Sequence, residues 1–107
     1  MNSNAKEEMN LIKEKYKATI IIPAYNAETT IHRAVDSAVN QTTKEPYEIL
    51  LMDDGSTDST SHILDDYAKL HKNIRTIHQK NQCITRTREN AAAAALGTYI
   101  FWIDADD

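Results

Sequence analysis

Tyr99-Ile100-Phe101-Trp102-Ile103-Asp104-Ala105-Asp106-Asp107 runs five apolar or aromatic residues straight into three carboxylates within four positions. An apolar run of that length suits a strand covered on both faces, as the strands of a parallel sheet are. In open α/β sheets, ligands bind just past the carboxyl ends of such strands, which is where Asp104 and Asp106 stand. Two carboxylates this close do not both ionise cheaply without a cation or a hydrogen-bond donor. A hard divalent metal that also bridges phosphate oxygens is a natural partner. Without a function, the same residues read as a polar turn after a buried strand, with Asp106 or Asp107 capping a helix beyond. The residues upstream weigh between the two.

Working back from this stretch, the five-alanine run Ala91 to Ala95 lies within a helix over residues 84–96, and Gly97 is placed to end it at the C′ position. Ile74-Arg75-Thr76-Ile77-His78 is a short strand. Before it, Ile63, Leu64, Tyr67 and Leu70 form the stripe of a helix that fades near residues 71–73, with Ser56, Thr57 or Asp58 as its N-cap. Tyr47-Glu48-Ile49-Leu50-Leu51-Met52 is a strand that runs into Asp53-Asp54-Gly55, an Asp-Gly turn. Ile31, Ala34, Val35 and Ala38 recur at helical spacing over residues 28–40, and a polar connector follows over 42–46. The first strand is Ala18-Thr19-Ile20-Ile21-Ile22, ended by Pro23, with Tyr25-Asn26-Ala27 as the turn. Residues 1–17 are a polar, lysine-rich lead-in in which Met9, Leu11, Ile12 and Tyr16 could form a short helix. The resulting β-α-β-α-β-α-β order predicts an α/β fold with a doubly wound, mainly parallel sheet.

A chain of 107 residues with 41% hydrophobic and 26% charged residues is one globular domain, able to bury a core. A net charge of −4 argues against nucleic acid as a partner, although a metal can supply positive charge to a phosphate ligand. The single cysteine, Cys83, has no internal partner and fits a reducing compartment. The opening residues lack a secretory signal, so a cytoplasmic location is expected, with membrane association left to regions outside this sequence.

Three strand ends collect polar groups, and in a parallel sheet all of them face one edge. They bring Pro23, Tyr25, Asn26 and Glu28 near Asp53 and Asp54, and near Asp104, Asp106 and Asp107. An aromatic ring beside a carboxylate that accepts from a base imide suits uridine, and a metal-held acidic cluster suits a diphosphate. Arg86 and Arg88 could reach that diphosphate as charge-assisted donors.

The chain resembles the N-terminal, nucleotide-binding half of the inverting family 2 glycosyltransferases, which have the Rossmann-like GT-A fold. The matching residues are Ile20-Ile21-Ile22-Pro23-Ala24-Tyr25-Asn26, then Ser37 and Gln41, then residues 48–60 around Asp53-Asp54-Gly55-Ser56. Gly97-Thr98-Tyr99-Ile100 and Asp104-Ala105-Asp106-Asp107 complete a match over residues 18–107. The resemblance implies that Pro23, Tyr25 and Glu28 line the nucleoside pocket and that Asp54 accepts from the base. It implies that Arg88 faces the phosphates. Asp104 and Asp106 match the Asp-x-Asp motif, with Asp106 the direct ligand of Mn²⁺ or Mg²⁺ and Asp104 the ribose and water-shell partner; Asp107 is a weaker candidate. The implied partner is a nucleoside-diphosphate sugar, UDP-sugar above all. The acceptor is a saccharide, lipid or protein hydroxyl, met through an acceptor half that lies beyond this sequence and carries the catalytic base. No catalytic base is assigned here, and residues 18–107 alone are expected to be inactive in transfer and prone to associate.

Three departures from the family pattern stand out. Cys83 and Ala91 replace glycines, which predicts strain wherever φ must be positive. Glu89 replaces an asparagine and is expected to add negative charge near the diphosphate. Other classes keep part of the pattern. A receiver domain shares the acidic pair after a strand, and a phosphohydrolase shares Asp104-Ala105-Asp106. A dinucleotide module fails for want of a glycine-rich loop, since Gly55 and Gly97 are the only glycines. A fourth alternative is a remnant that keeps the fold without performing transfer. The four histidines lack zinc-ligand spacing, Cys83 reads as a buried or incidental thiol, and Ser56-Thr57-Asp58 reads as a helix cap.

Overall fold

The computed structural model describes residues 15–106. Most of the expected lead-in helix, and Asp107, lie outside the described residues. Strands and helices alternate as β1 (Ala18–Ala24), α1 (Ile31–Val39), β2 (Tyr47–Asp53), α2 (Thr60–Leu70), β3 (Ile74–His78), α3 (Ile84–Ala94) and β4 (Tyr99–Trp102). The strands form one parallel sheet in the order β3-β2-β1-β4, the doubly wound α/β arrangement expected. Ile20, Ile22, Ile49 and Leu51 on one face pack with Ile31 and Val35 of α1 and Leu64 of α2. Ile21, Leu50 and Met52 on the other face pack beneath Ala91 of α3. Alanine there lets the helix approach the sheet closely. The chain therefore changes face after β3 and crosses the sheet to reach β4, which makes the gap between the ends of β1 and β4 the switch point.

β1 continues through Pro23 instead of stopping before it. Ile21 accepts the Ile103 N–H on the β4 side, at 3.0 Å, and Ala24 accepts the Asp54 N–H on the β2 side, at 2.9 Å. By alternation the Pro23 nitrogen faces β4, whose last paired residue, Trp102, lies opposite Ile21. The missing N–H thus falls where the β1–β4 ladder ends, and no bond within the paired residues is lost.

Several other expectations are corrected. α1 begins at Ile31, because residues 28–30 are turns tied to the neighbouring loop. Leu70 is 76% exposed, so the inward stripe of α2 is narrower than its sequence suggested. β4 is not covered on both faces: all four residues are exposed, since β4 is an edge strand and the helices lie over its neighbours. Cys83 is exposed at the N-cap of α3 with φ −68°, and Ala91 is a buried helical residue. Neither needs the left-handed region, so the expected strain is absent. Among the described residues positive φ occurs at Asn26 (47°) and at Gly55 (76°), the latter in the expected Asp-Gly turn.

Gly97 also has a different reason from the one expected. The helix C-cap is Ala95, in an extended conformation. A Cβ on Gly97 would lie 2.3 Å from the Ala18 carbonyl carbon and 2.6 Å from the Thr19 nitrogen. Close passage over β1 is what excludes a side chain. Gly97→Ala is expected to cost about 2–3 kcal/mol, the upper range for overpacking against a backbone that cannot yield. A urea midpoint equal to that of the parent chain would contradict this.

The same crossing is pinned by a buried polar network. Glu48 is 1% exposed. Its carboxylate accepts from Arg75 Nε (2.8 Å), Thr19 Oγ1 (2.7 Å) and the Leu96 N–H (2.6 Å). Gly97 N–H donates to Thr19 Oγ1 at 2.8 Å, and Arg75 also donates to the Ala94 carbonyl at 2.7 Å. Three strands and the α3–β4 connection meet on one carboxylate.

Candidate functional site

A cavity of about 350 Å³ opens at the switch point, lined by Pro23 near the end of β1, Tyr25 and Ala27 after it, Ile84 and Arg88 on α3, and Asp104, Ala105 and Asp106 after β4. That is within the size range of small-ligand sites. Five of the expected site residues, Pro23, Tyr25, Arg88, Asp104 and Asp106, thus share one cavity although they are spread over more than eighty positions. Tyr25 is 51% exposed, an open aromatic face beside the acidic pair.

The geometry of the lining explains its charge. Arg88 and Asp104 approach to 3.9 Å, an ion pair beyond hydrogen-bonding distance. Among the described residues neither Asp104 nor Asp106 accepts a hydrogen bond from the protein. Two uncommitted hard oxygen donors facing one cavity fit Mg²⁺ or Mn²⁺, ions that take one or two carboxylates and complete their shell with phosphate oxygens and water. Among the described residues no three metal-ligating side chains converge, so a metal here would depend on oxygens from a ligand.

Glu28 and Asp54, also expected in the site, do not line this cavity. Glu28 Oε2 accepts the Ser59 N–H at 2.8 Å, at the start of α2. It belongs to a seam between the β1–α1 and β2–α2 loops, in which Asn26 Oδ1 accepts the Thr57 N–H at 2.7 Å and Ala27 N–H donates to Thr60 Oγ1 at 2.9 Å. Asp58 Oδ1 accepts the Thr60 N–H at 2.9 Å, but the N-cap position of α2 is Ser59, one residue past the expected 56–58, and its own side chain makes no capping bond. Asp54 is 7% exposed. Its Oδ1 accepts from Gln79 Nε2 (2.8 Å) and the Gln82 N–H (2.9 Å), while Oδ2 has only a long contact to Asn81 Nδ2, at 3.4 Å. The carboxylate is fixed by the β3–α3 loop, with Oδ2 the less committed oxygen. Gln79 also donates to Thr87 Oγ1 and accepts from Asn90, both on α3. Sequence reasoning passed over these partners; the polar run Gln79-Lys80-Asn81-Gln82 was their only signal.

Arg86 and Glu89 do not line the cavity; both are exposed and approach one another to 3.9 Å. Consecutive helical positions point about 100° apart, so Arg88 can face the cavity while Glu89 does not. The charge expected to intrude on a diphosphate is therefore paired elsewhere.

His78, at the same sheet edge, lies between two carboxylates: Nδ1 is 2.7 Å from Asp53 Oδ2 and Nε2 is 2.7 Å from Asp65 Oδ1. The hydrogen bond to Asp53 raises the imidazole above its ordinary value; partial burial opposes this and Asp65 reinforces it. Burial alone would raise the Asp53 carboxyl, but hydrogen bonds from His78 and Ser56 outweigh it and hold that carboxyl low. An imidazole pKa that is higher folded than unfolded stabilises most below the unfolded value, and the contribution is lost as pH rises through the folded one. The urea midpoint is expected to fall as pH rises from about 6.5, with a smaller fall in His78→Asn. Identical slopes in the two proteins would contradict this assignment.

The fold is shared with proteins of known class. Residues 19–107 match the family model for glycosyl transferase family 2. The chain belongs to that family. It is 43% identical over 89 residues to the uncharacterized glycosyltransferase EpsJ of Bacillus subtilis, an alignment covering 83% of this chain and 26% of the relative. Among solved structures it resembles S. aureus TarS 1-349 in complex with UDP-GlcNAc, with TM-score 0.75, 28% identity, and 84% of this chain and 26% of that one covered. It also resembles GalNAc-T7 with UDP, GalNAc and Mn²⁺, with TM-score 0.74, 27% identity, and 83% and 17% covered. The parallel sheet is thus the GT-A nucleotide-binding arrangement, and the family match sets aside the receiver, phosphohydrolase and dinucleotide alternatives. The chain spans about a quarter of the relative's length. Among the described residues no helix of this family 2 chain is long and apolar enough to cross a membrane.

Proposed function

We propose that this chain is the donor-binding part of a glycosyltransferase that passes a sugar from a nucleoside diphosphate, UDP above all, to an acceptor hydroxyl with inversion. The observation that carries this reading is the meeting of Tyr25, Arg88, Asp104 and Asp106 around one cavity at the switch point. Tyr25 and Pro23 form the apolar wall against which a base and ribose would lie. Asp54 Oδ2, whose one polar contact among the described residues is the 3.4 Å approach of Asn81, is the acceptor left for a base imide, and Glu28 supports the loop that carries Tyr25. Arg88 offers in-plane donors to phosphate oxygens. Asp106 would hold Mn²⁺ or Mg²⁺, with Asp104 on the ribose and the metal's water shell. When bound, the metal would neutralise charge developing on the departing diphosphate.

All of these carboxylates lie on the base, ribose and metal side of the donor. An inverting displacement needs its general base on the opposite face of the sugar, beside the attacking hydroxyl. That base, and the saccharide, lipid or protein acceptor, belong to parts of the enzyme outside residues 15–106. Titration calorimetry tests the donor reading: UDP should bind with Mn²⁺ present and bind much more weakly in chelator. Equal affinity in both conditions would refute the metal's role, and no binding in either would refute the nucleotide.

A further inference from the structure

We infer that Trp102 is a positioning residue for phosphate recognition, holding the Arg88 guanidinium at the mouth of the cavity. This rests on the donor-binding reading above. The Arg88 guanidinium carbon lies over the Trp102 ring, 5.4 Å from its centroid. A second constraint comes from Asp104, 3.9 Å away. Among the described residues Arg88 makes no hydrogen bond, although its side chain is half exposed. A long arginine with no hydrogen bond would ordinarily sample many rotamers, and ordering it on a ligand would cost affinity.

The ring limits that sampling without consuming what a phosphate needs. The contact sets the group's positive charge over the π surface of the ring and uses none of its N–H groups in a conventional hydrogen bond. The arm therefore keeps donors available to a ligand. Register brings the pair together: Trp102 pairs with Ile21 of β1 and so shares the sheet face covered by α3, the helix that carries Arg88. Trp102 is absent from the cavity lining, so it acts through Arg88 and not on a ligand directly. At 38% exposure on an edge strand, it can be replaced with little cost to the core.

The test compares UDP with uridine, both titrated by calorimetry at constant Mn²⁺. Trp102→Leu is expected to weaken UDP about five-fold, the effect of losing a partly exposed cation–π contact. Uridine, which has no phosphate, should be unaffected. Trp102→Tyr, which keeps an aromatic face, should restore most of the UDP affinity. In an Arg88→Gln background, Trp102→Leu should have no further effect. Trp102 is the sole tryptophan, so Arg88→Gln should also shift the emission of the unliganded protein. Equal losses for UDP and uridine, unchanged UDP affinity in Trp102→Leu, or a loss that persists without Arg88 would each overturn the inference while leaving the donor reading intact. Failure of the parent chain to bind UDP would instead overturn the donor reading, and this inference with it.

Discussion

Asp106→Asn is expected to remove the metal dependence of UDP binding, leaving an affinity about 100-fold below that of the parent chain with Mn²⁺. Losing even an outer partner of a ligand costs 10–100-fold in metal affinity, and Asp106 is proposed as the direct ligand. Asparagine keeps the shape and one carbonyl oxygen but removes the charge that makes a carboxylate a good ligand for a hard cation. The substitution should leave the fold alone, because Asp106 is exposed and accepts no hydrogen bond among the described residues. Calorimetry with Mn²⁺ and with chelator separates the outcomes. If Asp106→Asn keeps the chelator sensitivity of the parent chain, Asp106 is not the ligand. Asp54→Asn is the companion: it should relax preference among bases while metal dependence survives.

The largest effect on stability is expected at Glu48. Glu48→Ala should cost about 3 kcal/mol, the lower end for removing one partner of a buried ion pair. The lower end applies because the Arg75 side chain is 38% exposed and can recover water, which discounts the pair. The Leu96 N–H and the Thr19 hydroxyl lose their acceptor as well, and burial makes that costly. Glu48→Gln should fall between the two, since it keeps an acceptor oxygen but not the charge. Urea midpoints at pH 7 measure this, and a loss below about 1 kcal/mol would show that the network contributes little. Because the network anchors the α3–β4 connection, a loosened β4 should also weaken UDP binding through Asp104 and Asp106.

Local chemistry was enough to recognise the fold and to bring several of the candidate residues to one edge of it. Apolar runs of strand length, helical recurrence at Ile31, Ala34, Val35 and Ala38, and the Asp53-Asp54-Gly55 turn are signals carried by neighbouring residues. Their alternation implies a parallel sheet, and a parallel sheet puts its acidic strand ends on one edge. Pro23, Tyr25, Asp104 and Asp106 could be gathered on that basis before any coordinates, whereas Arg88 was separated from Arg86 only by the family resemblance.

What depended on partners distant in the chain was not legible. An apolar run does not say whether a strand is central or at an edge, so the exposure of β4 emerged only from the sheet order. Gly97 suits a helix end by composition, yet it is required by the backbone of Ala18 and Thr19, almost eighty residues earlier. Glu28 and Glu89 look like site carboxylates in a linear motif. Tertiary contacts give Glu28 to Ser59, and the helical rotation that aims Arg88 inward leaves Glu89 to Arg86. The sequence by itself determined which residue types arrive at the strand ends. Which of those side chains remain free for a ligand was decided only by the tertiary structure, because a buried or capped carboxylate is committed by whichever donors the fold brings within hydrogen-bonding distance.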